Sequence, residues 1–222
     1  MRLYIIRHGE TPWNTEMRLQ GQTNIPLNEN GRALAKATAK GMQDISFDLA
    51  ITSPLDRAVE TAQIVLGDRD ISLLRDERIQ EITFGELEGV RFRRDADEAS
   101  NPEFYCFFHA TDRYVPEKGG ETFESLYCRT GEFLEELKTK KEWYGKNILV
   151  STHGAASRAL LANVLQAPVK EFWGPGVPKN CAVTIVEMEK NTLTDSEHQD
   201  KKDESGLMWK LKELDKLYYE NI

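Results

Sequence analysis

The chain has 222 residues, 40% of them hydrophobic and 30% charged, and a formal net charge of −8. It is long enough to bury a sizeable core in one α/β unit, and its acidic balance argues against a nucleic-acid partner, which needs a basic footprint. No apolar run approaches the ~20 residues of a membrane helix, the apolar start at residues 3–6 is too brief for a signal peptide, and Cys106, Cys128 and Cys181 lack metal-ligand spacing and read as reduced thiols in a cytoplasmic protein.

The first apolar run, Leu3-Tyr4-Ile5-Ile6, reads as a buried strand that ends in Arg7-His8-Gly9-Glu10-Thr11. A loop with Pro12, Gly21, Asn24 and Pro26 follows. Asn28 is placed to cap a helix running to about Met42, with Ala33, Leu34 and Ala37 facing inward. Leu49-Ala50-Ile51-Thr52 reads as a second strand, followed by Ser53-Pro54 and a helix from about Leu55 to Leu66 with Arg57 in its first turn. Residues 71–74 read as a third strand.

Residues 90–120 differ in texture, with Phe92, Phe104, Tyr105, Phe107, Phe108 and Tyr114 among many charges. They read as an insertion over the strand ends rather than as core, with the aromatics at 104–108 open to two roles, core packing or the lining of a substrate pocket. After Gly119-Gly120-Glu121, the residues Phe123, Leu126, Tyr127, Thr130, Leu134 and Leu137 keep the 3.6-residue period of a long helix. Ile148-Leu149-Val150-Ser151-Thr152 is a strand ending in His153-Gly154, with a helix to Leu165. Residues 182–186 form a further strand, 189–206 a polar mobile loop, and Leu207, Trp209 and Leu211 alternate as a last strand closing a hairpin before a short tail.

Strands alternating with helices predict a single three-layer α/β domain over residues 1–222, with a mostly parallel sheet and helices on both faces. In such sheets ligands bind outside the carboxyl ends of the strands. Three strand ends there deliver Arg7, His8, Arg57 and His153. Two imidazoles and two guanidiniums suit a dianionic tetrahedral group, phosphate.

Arg7-His8-Gly9-Glu10-Thr11, Asn14, Ser53-Pro54-x-x-Arg57-Ala58-x-x-Thr61-Ala62, Glu81 before Phe84-Gly85-x-x-Glu88-Gly89, and Ser151-x-His153-Gly154 together resemble the histidine phosphatase superfamily, the phosphoglycerate-mutase-like group. The landmarks fall in the family's order across residues 1 to about 190. The resemblance implies that His8 attacks phosphorus and becomes a phosphohistidine. Arg7 and Arg57 would bind the phosphoryl oxygens, since the guanidinium fork matches phosphate. His153 would donate to the transferring group, helped by amides at the following helix N-terminus. Gly9 would leave room for close approach. Asn14, Gln20, Gly21 and Gly154 would complete the substrate site.

The resemblance also points to Glu81 as the acid that protonates the leaving oxygen and then activates water. Glu10, Glu86 and Glu88 are its local rivals, and Glu86 and Glu88 fit better as turn-fixing acids. No cofactor and no metal are expected, because HExxH and HxH are absent and arginines would repel a cation. His109 and His198 read as solvated.

Three functions remain open at this level. They are a phosphatase, a cofactor-dependent phosphoglycerate mutase and a non-catalytic phosphate-binding module. Residues 95–120 lack the proline run of the mutases. Leu19-Gln20-Gly21-Gln22-Thr23 departs from their Thr-Gly-Trp, and Gly119-Gly120-Glu121-Thr122 resembles the broad-specificity phosphatase branch. The favoured reading is a phosphomonoester hydrolase acting on a small phosphate ester, with no nucleic acid or membrane. Oligomeric state is left open, a homodimer being the option.

Overall fold

The computed structural model describes residues 1–92, 102–190 and 206–219. The strands are β1 (Arg2–Arg7), β2 (Leu49–Thr52), β3 (Leu73–Arg75), β4 (Asn147–Thr152), β5 (Val183–Lys190) and β6 (Leu207–Lys216). They form one sheet in the order β3-β2-β4-β1-β5-β6. β1 to β4 run parallel, while β5 lies antiparallel to both β1 and β6. β2 has the expected bounds, the third strand begins two residues later than expected, and the last two strands close as the expected hairpin. The part of the 189–206 loop beyond Lys190 lies outside the described residues, as does His198.

The helices are α1 (Pro12–Thr15), α2 (Glu29–Gly41), α3 (Asp56–Leu66), α4 (Pro102–His109), α5 (Phe123–Thr139) and α6 (Gly154–Leu165). Alternation along each strand sorts the apolar side chains onto two faces. Leu3, Ile5, Ile148 and Val150 pack with Phe133, Leu134 and Leu160 of α5 and α6. Tyr4, Ile6 and Leu149 pack with Ala35 of α2 and Ala62 and Val65 of α3.

Asn28 caps α2 as expected, its side chain accepting from Gly31 N. Leu34 packs against the core as expected though only half-buried, Ala33 and Ala37 are half-buried, and Gly31, Ala35 and Thr38 are the buried positions. At its start the helix closely approaches the loop after β1. A Cβ on Gly31 would meet the Glu10 carbonyl oxygen at 2.1 Å, and one on Gly9 would meet the Gly31 carbonyl oxygen at 2.6 Å. Gly9 therefore admits a helix backbone, not the substrate.

The aromatic segment also needs correction. Phe104 and Phe107 are buried, and with Phe84, Phe123 and Phe172 they build a third apolar cluster. The insertion therefore carries a small core of its own. Trp173 Nε1 donates to the Phe107 carbonyl at 2.6 Å, and Thr111 Oγ1 to the Val169 carbonyl, fastening α4 and the turn after it to the loop that follows α6.

Behind the sheet's carboxyl edge, Arg158 of α6 is almost fully buried and pairs through both terminal nitrogens with the carboxylate of Asp215 on β6. Removing one partner of such a pair strands the other charge. Asp215→Ala is expected to lower the unfolding free energy by about 3 kcal/mol, and Asp215→Asn by less. Chemical denaturation of the three proteins checks this, and equal stabilities would show that β6 is held by its strand pairing alone.

Candidate active site

The chain leaves β1 toward one side of the sheet and β4 toward the other, and these two strands are neighbours. Ligands favour the crevice at such a switch point. Arg7 closes β1 opposite Thr152 of β4, so His8 and His153 follow side by side. Their rings lie 5.3 Å apart between centroids. Both are buried, and so is Arg57 from the first turn of α3. The cavity in front of them is lined at its polar end by Arg7, His8, Asn14, Gln20, Arg57 and Glu81, with Gly21 and Gly154.

His8 Nδ1 lies 2.6 Å from the Gly9 carbonyl oxygen. A carbonyl only accepts, so the proton sits on Nδ1 and Nε2 keeps its lone pair. Burial, then the charges of Arg57 and Arg7, hold the His8 pKa well below the usual imidazole value. The ring is neutral at neutral pH, as a nucleophile must be. His153 is likewise held low, by burial first and then by Arg57 and His8. Its Nε2 lies 2.7 Å from Ser53 Oγ, and its Nδ1 is buried with no protein partner. A hydroxyl can donate or accept, and where Ser53 donates to Nε2 the ring hydrogen sits on Nδ1.

Arg57 divides its guanidinium. Nη1 and Nη2 donate to the Thr23 and Gly21 carbonyls at 2.9 and 2.7 Å, while Nε is buried without a partner. Burial pushes its pKa down to about 10. Arg7 Nη1 donates to the Pro178 carbonyl. Asn14, at the end of a capping box begun by Thr11, accepts from Thr11 N at 3.0 Å, which leaves its NH2 for the cavity. Gln20 buries Oε1 without a partner. Gly21 has φ +51° and lies against Glu88, whose Oε1 a Cβ would meet at 2.0 Å.

Glu81 stands at the cavity wall. Its carboxylate accepts from Ala155 N at 3.1 Å, Ala156 N at 3.0 Å and Ile82 N at 3.1 Å. The first two are the α6 amides expected to reach the phosphate. They hold the candidate acid instead. Of its rivals, Glu10 accepts from Asn28 and Asn30 at the α2 start, and Glu86 is an exposed partner of Lys118. Glu88 accepts from Gln22 N, Thr23 N, Thr83 Oγ1 and Phe84 N, fixing the loop that meets Arg57. These contacts hold its carboxyl below the usual range against the cost of burial.

Sequence reasoning missed Asn180. Its Nδ2 donates to the His8 carbonyl at 2.9 Å, and Tyr219 OH donates to its own carbonyl at 2.8 Å. No sequence period links these positions. His109 lies exposed at the end of α4, outside the cavity lining. Among the described residues no group of three or more His, Cys, Asp or Glu side chains is arranged to hold a metal ion, and no helix is long and apolar enough to cross a membrane.

The family model of the histidine phosphatase superfamily (branch 1) matches residues 3–200. The chain is 32% identical over 162 residues to 2,3-bisphosphoglycerate-dependent phosphoglycerate mutase 2 of Gloeobacter violaceus, covering 72% of this chain and 73% of that protein. It is 30% identical to the adenosylcobalamin/alpha-ribazole phosphatase of Escherichia coli, covering 82% of this chain and 87% of that one. Among solved structures, Bacillus stearothermophilus YhfR superposes with a TM-score of 0.76 at 35% identity, over 85% of this chain and 91% of its own.

Two neutral buried imidazoles have a measurable consequence. Below the ordinary value near 6.5 the unfolded chain takes up protons that the folded rings refuse, so stability falls as pH drops. Above it both states are neutral and nothing remains to lose. The unfolding free energy is expected to decline between pH 6.5 and 5.5 by up to about 1.4 kcal/mol per pH unit per histidine. His8→Asn should flatten that decline in urea titrations. An unchanged slope would mean that His8 takes up a proton in the folded state.

Proposed function

The chain belongs to the histidine phosphatase superfamily, branch 1, and from that premise we propose that it hydrolyses phosphomonoesters of small metabolites through a phosphohistidine at His8. The observation that carries this reading is the fixed tautomer of a buried neutral His8, with Nε2 as its free nitrogen, in a cavity lined by Arg7 and Arg57 and with the His153 ring 5.3 Å away.

Arg7, the Nε–H of Arg57 and the Nδ1–H of His153 receive the phosphoryl oxygens. They act most strongly where charge develops in the transition state. His8 Nε2 forms a bond to phosphorus as the ester P–O bond breaks. Glu81 delivers a proton to the departing oxygen. Water then attacks the phosphohistidine and returns a proton to Glu81, the N–P bond breaks, and phosphate leaves with Nε2 restored. Neither step calls on a metal.

The far wall favours hydrolysis over mutase action. Phe84, Phe92, Phe107, Phe108 and Trp173 line it. The one cation among the described lining residues there, Arg18, is engaged by Glu16 at 2.6 Å and by the Gly89 carbonyl at 2.7 Å. A mutase must retain a glycerate while it reorients, which requires fixed charge for the carboxylate. An apolar wall accommodates an apolar or mixed leaving group and lets it go. Arg93 and Arg94 of the lid lie outside the described residues. A cytoplasmic setting is supported by three cysteines without disulfides, and the charge of −8 weighs against a nucleic-acid substrate.

Rapid quench with labelled substrate should trap an acid-labile, alkali-stable adduct on His8, and His8→Ala should abolish turnover. Simple monoesters should release phosphate, with weak or no interconversion of 2- and 3-phosphoglycerate. Efficient interconversion primed by bisphosphoglycerate, with negligible phosphate release, would place the protein among the mutases.

A second measurement addresses the acid. Glu81→Gln should lower kcat/KM, which reports steps through phosphoryl transfer, by about 100-fold or more on alkyl phosphates. On p-nitrophenyl phosphate, whose leaving group needs little protonation, the loss should be far smaller. Equal losses would remove Glu81 from the role.

A further inference from the structure

We propose that Arg129, outside the catalytic cavity, is a positioning residue that holds the Glu81 loop in register, and that Glu121 couples this hold to the base of the aromatic lid. The inference rests on the reading of Glu81 as the acid.

Glu81 is carried by a loop without regular structure, residues 80–83, between the short helical turn Glu77–Ile79 and Phe84. Ile79 and Ile82 are buried on either side of it. Those apolar anchors set the depth of the loop but leave the carbonyls between them to find donors. Arg129 of α5 supplies most of these. Nη1 donates to the Arg78 and Gln80 carbonyls at 2.7 and 2.8 Å, and Nη2 to the Glu81 carbonyl at 3.1 Å. Gln22 Nε2 donates to the same Glu81 oxygen at 3.1 Å.

The remaining guanidinium donors go to one carboxylate. Nε and Nη2 meet Glu121 Oε1 and Oε2 at 2.7 and 2.8 Å. All five N–H groups of the arginine are thereby used. Its side chain is 18% exposed and that of Glu121 11%, so the pair is shielded and geometrically fixed. Lysine cannot reproduce this planar fork.

Arg129 does not line the catalytic cavity. It lies in a groove with Gln80, Thr83, Gly120 and Glu121. Its contacts act on the Glu81 backbone, and its charge adds a smaller contribution that helps keep His153 neutral. Glu121 extends the connection. Its N–H donates to the Thr83 carbonyl at 2.9 Å, and Phe84 bridges to Gly120. The segment that ends the aromatic insertion and the loop that presents the acid therefore share one ion pair. Displacement of a catalytic group by about 1 Å costs on the order of 100-fold in rate. Glu81 also has its own amide partners on α6, so only part of that loss is expected here.

The test compares Arg129→Met, Arg129→Lys and Glu81→Gln on an alkyl phosphate and on p-nitrophenyl phosphate, together with thermal midpoints and inhibition by inorganic phosphate. Arg129→Met should lower kcat/KM about 30-fold on the alkyl ester and less than about 3-fold on the aryl ester. Phosphate inhibition should stay within about 2-fold, since Arg7, Arg57 and the histidines are untouched. Arg129→Lys should show the same selectivity at smaller size, and it carries the test alone if the methionine variant does not fold. Equal losses on the two esters, or none, with Glu81→Gln still selective, would overturn the positioning role and leave the acid in place. A Glu81→Gln variant without selectivity would overturn both.

Discussion

Buried positive charge at the carboxyl edge of the sheet is the constraint around which this site is built. Arg57 is fully buried, Arg7 closes a central strand, and the buried His8 and His153 rings lie 5.3 Å apart beside them. Burying a charge is costly unless it is paired or hydrogen-bonded. The fold meets part of the cost with carbonyls, those of Gly21 and Thr23 for Arg57 and that of Pro178 for Arg7. It leaves the Arg57 Nε and the His153 Nδ1 unmet. On the reading proposed above a dianion would complete both, while burial and the same charges hold the His8 pKa low. In a chain with a net charge of −8, Arg7 and Arg57 with the two histidines make a local island of positive charge at three strand ends.

Most of this was legible in the residues. Short apolar runs closed by His-Gly or Ser-Pro mark strand ends, and ends of parallel strands converge on one edge. Asn28 stands where a helix cap was needed. Other features depended on contacts between distant segments. The close approach of α2 to the loop after β1 could not be read from hydrophobicity, because it rests on the missing Cβ atoms of Gly31 and Gly9. Asn180 carries no catalytic signature, yet it holds the His8 carbonyl through a loop far along the chain. The aromatics of the insertion read as a cover, and only the meeting of Phe107 with Phe123 and Phe172 shows that they are also core.

The same argument explains the one role that the residues misdirected. A helix N-terminus following His-Gly suggests an anion site. Its amides, those of Ala155 and Ala156, go to the Glu81 carboxyl group instead. On the mechanism proposed above, turnover brings two acidic groups, the phosphate ester and the acid that serves it, into one cavity. Backbone amides of α6 and of Ile82 fix the Glu81 carboxyl group at the cavity wall, and the guanidiniums of Arg7 and Arg57 stand at the same polar end. A helix start for the acid and arginine side chains for the ester would let a single cavity bind the ester and protonate it.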